Sequence, residues 1–157
     1  MRILTTVLSL FAGLFVATAA SADDWILYKA PDRAYSLRFP APPLSENNGK
    51  TIYSTSQKHV VYELQIADID GLTELKSAKA FAAADQYATS GGGSILSLKN
   101  FNFHGHPAQD LKFSARGKIY WNRVIIVDHR LYQLIVGTDL KRAPRPDQFW
   151  KSFSLKP

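Results

Sequence analysis

The chain has 157 residues, 46% of them hydrophobic and 20% charged, with a formal net charge of +6 and no cysteine. The absence of cysteine excludes a disulfide framework, a cysteine nucleophile and a lipid-attachment cysteine. The modest positive charge favours solubility and weak contact with anionic surfaces, and gives no case for nucleic acid.

The chain opens with Arg2, an apolar run from Val7 to Ala17, and Ala20-Ser21-Ala22 ahead of Asp23-Asp24. A basic start, an apolar middle and small residues before a polar junction are the parts of a secretory signal, so residues 1–22 are expected to be removed. The alternative is an uncleaved anchor in the inner membrane, because Ile3 to Ala20 approaches the length of about 18 apolar residues needed to span a bilayer. Export without cysteine fits a periplasmic protein. Cleavage leaves 157 − 22 = 135 residues with a charge of (19 − 1) − 13 = +5, sized for one domain over 23–157.

Trp25 to Lys29 reads as a short strand, turned by Ala30-Pro31-Asp32-Arg33 into Tyr35 to Phe39, where Tyr35, Leu37 and Phe39 alternate with Ser36 and Arg38. Pro40, Pro42 and Pro43 end that strand, since proline cannot donate to a ladder. Asn47-Asn48-Gly49 is a turn signal opening onto an antiparallel pair, Thr51 to Lys58 and Val60 to Ala67. Asp68-Ile69-Asp70-Gly71 starts like a calcium loop, but Thr73 and Lys79 stand where such a loop needs glycine and glutamate. The period then changes. In Ser77 to Ser90, Ala80, Phe81, Ala84, Tyr87 and Ala88 fall on one helical face, and Gly91 follows as a cap. The run Gly91-Gly92-Gly93 leaves a helix rather than entering one, the wrong order for a phosphate loop.

Four strand candidates follow: Ser94 to Phe103, Ala108 to Ala115, Ile119 to Asp128 and Leu131 to Gly137. Their connections hold Gly105, Arg116-Gly117 and His129-Arg130, all short enough for hairpins. At His129-Arg130 a two-residue turn would strain a histidine, marking either a functional tip or a longer turn. Val124 to Val127 and Leu134 to Val136 are continuously apolar, so both faces of the sheet should be covered. A tail helix from Pro146, carrying Phe149, Trp150 and Phe153, would supply the second cover. The expected architecture is α+β, an antiparallel sheet with helices packed on both faces, an α/β/α sandwich.

Several stretches carry a resemblance: Tyr35-Ser36-Leu37-Arg38-Phe39-Pro40, Gly105-His106-Pro107-Ala108, Arg130 to Val136, and Phe149-Trp150-Lys151-Ser152-Phe153. With the order of elements, these resemble the Mog1/PsbP-like family over Trp25 to Leu155. The resemblance implies a non-enzymatic adaptor or assembly factor, since named members bind a GTPase or a photosystem, and it carries over no catalytic residues.

The candidate sites read from the residues are few. No Gly-x-Ser-x-Gly stretch is present, so a serine hydrolase has no recognisable elbow. His104 and His106, one residue apart, could share zinc or copper if His59 or His129 completed the set. The competing reading makes His104-Gly105-His106-Pro107 a turn, with Gly105 breaking the extended path. The densest basic group, Lys141, Arg142 and Arg145, is either a solvated surface or a binding patch for an anionic partner. Trp121, Tyr120 and Tyr132 are expected in the core, and a small-ligand pocket would lie beside Tyr87 or Trp121. The expected function is a protein-binding or assembly module without cofactor; metal binding and small-ligand binding are the alternatives.

Overall fold

A computed structural model describes residues 24–47, 50–69, 81, 84–86, 88–90, 92–139 and 146–156. The strands are β1 (Ile26–Lys29), β2 (Tyr35–Phe39), β3 (Leu44–Asn47), β4 (Thr51–Gln57), β5 (Val60–Asp68), β6 (Ser94–Phe103), β7 (His106–Ala115), β8 (Lys118–Val127), β9 (Arg130–Thr138) and β10 (Ser154–Leu155). Seven of them form an antiparallel sheet in the order β3-β4-β5-β9-β8-β7-β6, and β1-β2-β10 form a second, three-stranded sheet. A five-residue helix, Asp147–Lys151, precedes β10.

Alternation decides what each face of the large sheet meets. Leu64, Leu134, Val136 and Ile125 point to one face, where they pack against Leu37 and Phe39 of the small sheet and Phe149 of the short helix, all seven fully buried. Rings interlock there: Trp25 meets Tyr62 edge-on at 5.1 Å, and Phe149 lies 5.5 Å from both Phe39 and Tyr62. Each such ring pair adds about 0.5–1.5 kcal/mol beyond its buried area. Arg123 of β8 sits under this layer, bidentate to Asp110 at 2.7 and 2.8 Å and 4.4 Å from the Trp150 ring. The opposite face carries Leu111, Phe113 and Val124, packed against Ala84 and Ala88, where residues 84–86 and 88–90 are helical. Tyr132 is buried as expected, while Trp121 and Tyr120 are partly buried against these cores.

The expectation of helices on both faces does not hold. The alanine-bearing helical residues cover one face, but the other is covered chiefly by β1, β2 and β10. Five helical residues make little more than one turn, about 7 Å long, too short to roof a sheet. The alternating Tyr35, Leu37 and Phe39 supply the apolar roof instead, with Ser154 and Leu155 adding a third strand through pairing with Ser36 and Tyr35. The proline-rich stretch ends β2 as expected, yet β3 forms directly after it and pairs with β4 as an edge strand.

Tight hairpins set the registers. Lys58-His59, His104-Gly105 and Arg116-Gly117 all carry positive φ at both central positions, the geometry whose twist matches paired strands. Thus Phe103 pairs with His106, and β7 starts two residues earlier than expected. Pro107 is tolerated inside β7 because its pairing with β8 begins only at Ala108, so the missing N–H interrupts no ladder there. The β8–β9 turn is Asp128-His129 rather than His129-Arg130: Val127 pairs with Arg130, and Asp128, which tolerates the left-handed region better than histidine, takes φ +52°.

Gly137 shows why one glycine is needed within β9. A Cβ there would come within 2.8 Å of the Tyr120 ring on the neighbouring strand.

Candidate functional site

One end of the sandwich gathers the β1–β2 turn, the end of β5, the start of β9 and the β3–β4 connection around a cleft of about 390 Å³. Its floor is aromatic, from Tyr35 and Tyr53, and Asp32, Asp68, Arg130 and Lys50 stand at its rim. The turn is held by its own hydrogen bonds. Arg33 N donates to Ala30 O at 2.9 Å, Ala30 N donates to Tyr35 O at 3.1 Å, and the Asp32 carboxylate accepts from Ala34 N at 3.0 Å. An aspartate accepting from the amide two residues on is the self-closing turn that this residue type favours.

The other oxygen of Asp32 accepts from Arg130 Nη1 at 2.8 Å, and Arg130 Nε lies 3.6 Å from Asp68, its cross-strand partner. Arg130 therefore ties the small sheet to the large one across 98 residues of sequence. The Ala34 amide, with the Arg130 guanidinium second, holds the Asp32 carboxyl below the usual carboxylate range. Hydrogen bonds to Asp32 and then Tyr132 raise Arg130 above the ordinary arginine value. Beneath them Tyr28 and Tyr53 lie 4.7 Å apart, and Tyr35 and Tyr132 5.4 Å apart. Burial, reinforced by Tyr53, pushes the Tyr28 and Tyr35 phenols well above the ordinary tyrosine range. Both stay protonated at neutral pH. The cleft thus offers the protonated Tyr35 phenol, the ring faces of Tyr35 and Tyr53, and one arginine paired with two aspartates.

The structure brings the sequence-derived candidates together only in part. His104 is exposed at the β6–β7 turn, its ring edge-on to Phe103 at 4.6 Å, and His106 is the half-buried first residue of β7. The registers put His129 at that same end of the sheet, and send His59 to the opposite end, where it lies 3.9 Å from Asp139. Among the described residues no three histidine or carboxylate side chains converge as a metal site would require. Lys141, Arg142 and Arg145, and Tyr87 with them, lie outside the described residues; Trp121 lines none of the recesses described here. The Arg130 cleft itself escaped the sequence reading. Its one visible trace is the pair of turn signals at Pro31-Asp32 and Asp128 to Arg130, which nothing local connects.

A seven-stranded antiparallel sheet roofed by a small N- and C-terminal sheet defines the class: the fold is that of the Mog1/PsbP-like proteins. The chain is similar to the solution structure of cyanobacterial PsbP (CyanoP) from Synechocystis sp. PCC 6803, with a TM-score of 0.60 and 12% identity over 92% of this chain and 99% of that one. It is similar also to the crystal structure of the Ran-binding protein Mog1p of Saccharomyces cerevisiae, with a TM-score of 0.55 and 9% identity over 83% of this chain and 95% of that one. No protein-family model matches the sequence. No curated protein matches it either.

Proposed function

We propose that the chain is an exported, non-enzymatic binding module that takes a protein partner at the Arg130 cleft. The observation that carries this reading is the composition of the cleft: an aromatic floor from Tyr35 and Tyr53 beside a single arginine. Tyrosine and arginine are the residue types that concentrate binding energy in protein interfaces, because they bury much area while keeping a polar handle. Balanced charges suit such a site, since Arg130 arrives already oriented by Asp32 and Asp68. The fold supports the reading in a general way, as Mog1p is a Ran-binding protein. Export to the periplasm rests on the signal-like residues 1–22, and no helix among the described residues is long and apolar enough to cross a membrane.

The test is affinity capture from envelope extract at physiological salt, comparing the wild type with a Tyr53→Ala, Arg130→Ala double variant. One protein retained in stoichiometric amount by the wild type, and depleted at least tenfold by the double variant, is the expected outcome. Equal retention by both would refute the placement of the site.

A further inference from the structure

On the other side of the β1–β2 turn lies a second recess, of about 500 Å³, whose charges are not balanced. Among the described residues it is lined by Lys29, Arg33 and Lys156 together with the hydroxyls of Ser36 and Ser154, and by no carboxylate side chain. We propose that this recess binds an oxyanion of the phosphate class.

The backbone builds the site from three strands. Ser36 of β2 is the direct cross-strand partner of both Lys29 on β1 and Ser154 on β10, so these three side chains stand in one row on the same face of the small sheet. That face is the outer one, because Tyr35 and Leu37 on either side of Ser36 point into the core. Lys156 is fixed beside the row by its amide, which donates to Ala34 O at 2.9 Å. Arg33 sits at the tip of the turn whose hydrogen bonds were described above. The Ser36 and Ser154 hydroxyls are therefore flanked by three cations; the Ser154 hydroxyl donates to Leu155 O at 3.3 Å and turns from it to meet an anion.

Two further observations point to a ligand rather than a solvated basic surface. The nearest carboxylate of the turn, Asp32, is turned away and committed to Ala34 N and Arg130, so it does not neutralise the recess. Arg33 also holds a left-handed backbone, φ +57°, a conformation that asparagine or glycine adopts at less cost. A strained arginine placed among like charges lowers stability in two ways, and an anion in the recess offsets the second. The recess is independent of the protein-partner reading, because its chemistry uses neither Arg130 nor Tyr53.

Inorganic phosphate and phosphatidylglycerol headgroups share this chemistry, and two arms separate them. In the first, inorganic phosphate is titrated into the full chain while amide NMR signals are followed. Saturable shifts at Arg33, Ser36 and Lys156 are expected, weakened roughly tenfold or more in an Arg33→Asn, Lys156→Gln double variant, since each removed cation takes a charge-assisted hydrogen bond with it. The variant keeps the fold because asparagine tolerates the left-handed turn and Lys156 is exposed. In the second arm, sedimentation with phosphatidylcholine vesicles containing phosphatidylglycerol is compared with pure phosphatidylcholine. Binding of phosphate alone, lost in the double variant, identifies a soluble ligand. Vesicle binding lost in the double variant identifies a headgroup. Absence of binding in both arms, binding that the double variant retains, or an equal loss of binding in an Arg116→Asn control overturns the proposal.

Discussion

Two recesses meet at the β1–β2 turn and share Ala30, Pro31 and Tyr35, yet they differ in electrostatic character. In the cleft, Arg130 is matched by Asp32 and Asp68; in the outer recess, Lys29, Arg33 and Lys156 meet no carboxylate side chain among the described residues. Paired charges hold a structure together and leave little field outside it, whereas unpaired like charges project a field and favour whatever neutralises them. The same turn therefore serves as a structural clamp on one side and as an electrostatic lure on the other.

Tyr35 is the wall common to both, and its removal should have the largest effect. Tyr35→Ala deletes a ring that contacts Tyr132 and Phe153 and is 5% exposed, so about 3–5 kcal/mol of stability should be lost. Urea denaturation would read this as a lower midpoint at unchanged slope, and both recesses should fail together. A variant of wild-type stability would contradict the packing described.

Asp32→Ala divides the two recesses. It removes the acceptor for Ala34 N and the partner of Arg130, at a cost of about 1 kcal/mol for so exposed a pair. The cleft should lose its partner affinity through a free Arg130 rotamer, while phosphate affinity in the outer recess stays the same or rises.

pH supplies a gentler version of that change. Because the folded-state pKa of Asp32 is depressed, its contribution is fully present above the ordinary carboxylate range and is lost as pH falls through the folded value. Asp85 runs the other way. Burial raises its pKa and one of its oxygens has no hydrogen-bond partner among the described residues, so it opposes folding when ionised and eases as pH falls through its raised value. Replacing Asp32 with Asn should flatten the acid limb of the stability profile, and replacing Asp85 with Asn should stabilise the protein at neutral pH.

The smallest effect is expected from Arg33→Asn. Relief of the left-handed strain and of like-charge repulsion should raise stability by a few tenths to about 1 kcal/mol. A fall in stability would mean that Arg33 has a structural partner and is not held there for a ligand.

Much of this fold was legible in the chain because it is locally encoded. Tyr35, Leu37 and Phe39 announce a strand with one buried face, and Arg116-Gly117 announces a two-residue turn, whereas the expected His104-to-Pro107 connection is in fact the two residues His104-Gly105. The roof of the sandwich was misread because it depends on pairing between Ser36 and Ser154, which no local period records. Phe149 and Phe153 do face the core, but as parts of a single turn and its exit rather than of a long helix. The cleft was illegible for the same reason: Asp32, in a turn, and Arg130, at the start of a strand, meet across 98 residues with nothing local to connect them. The outer recess combines both kinds of information, with Lys29 and Ser36 in a hairpin row and Ser154 and Lys156 arriving from the far end of the chain.

The central claim is that the Arg130 end of the sandwich is the face that meets a partner. Site-specific photocrosslinking in cells tests it directly, with the reactive residue at Asn47, on the rim of the cleft, or at Arg116, in the β7–β8 turn at the opposite end. The account predicts a discrete adduct from Asn47 that disappears with Arg130→Ala, and none from Arg116. An adduct from Arg116 alone, or one from Asn47 that persists with Arg130→Ala, would contradict it.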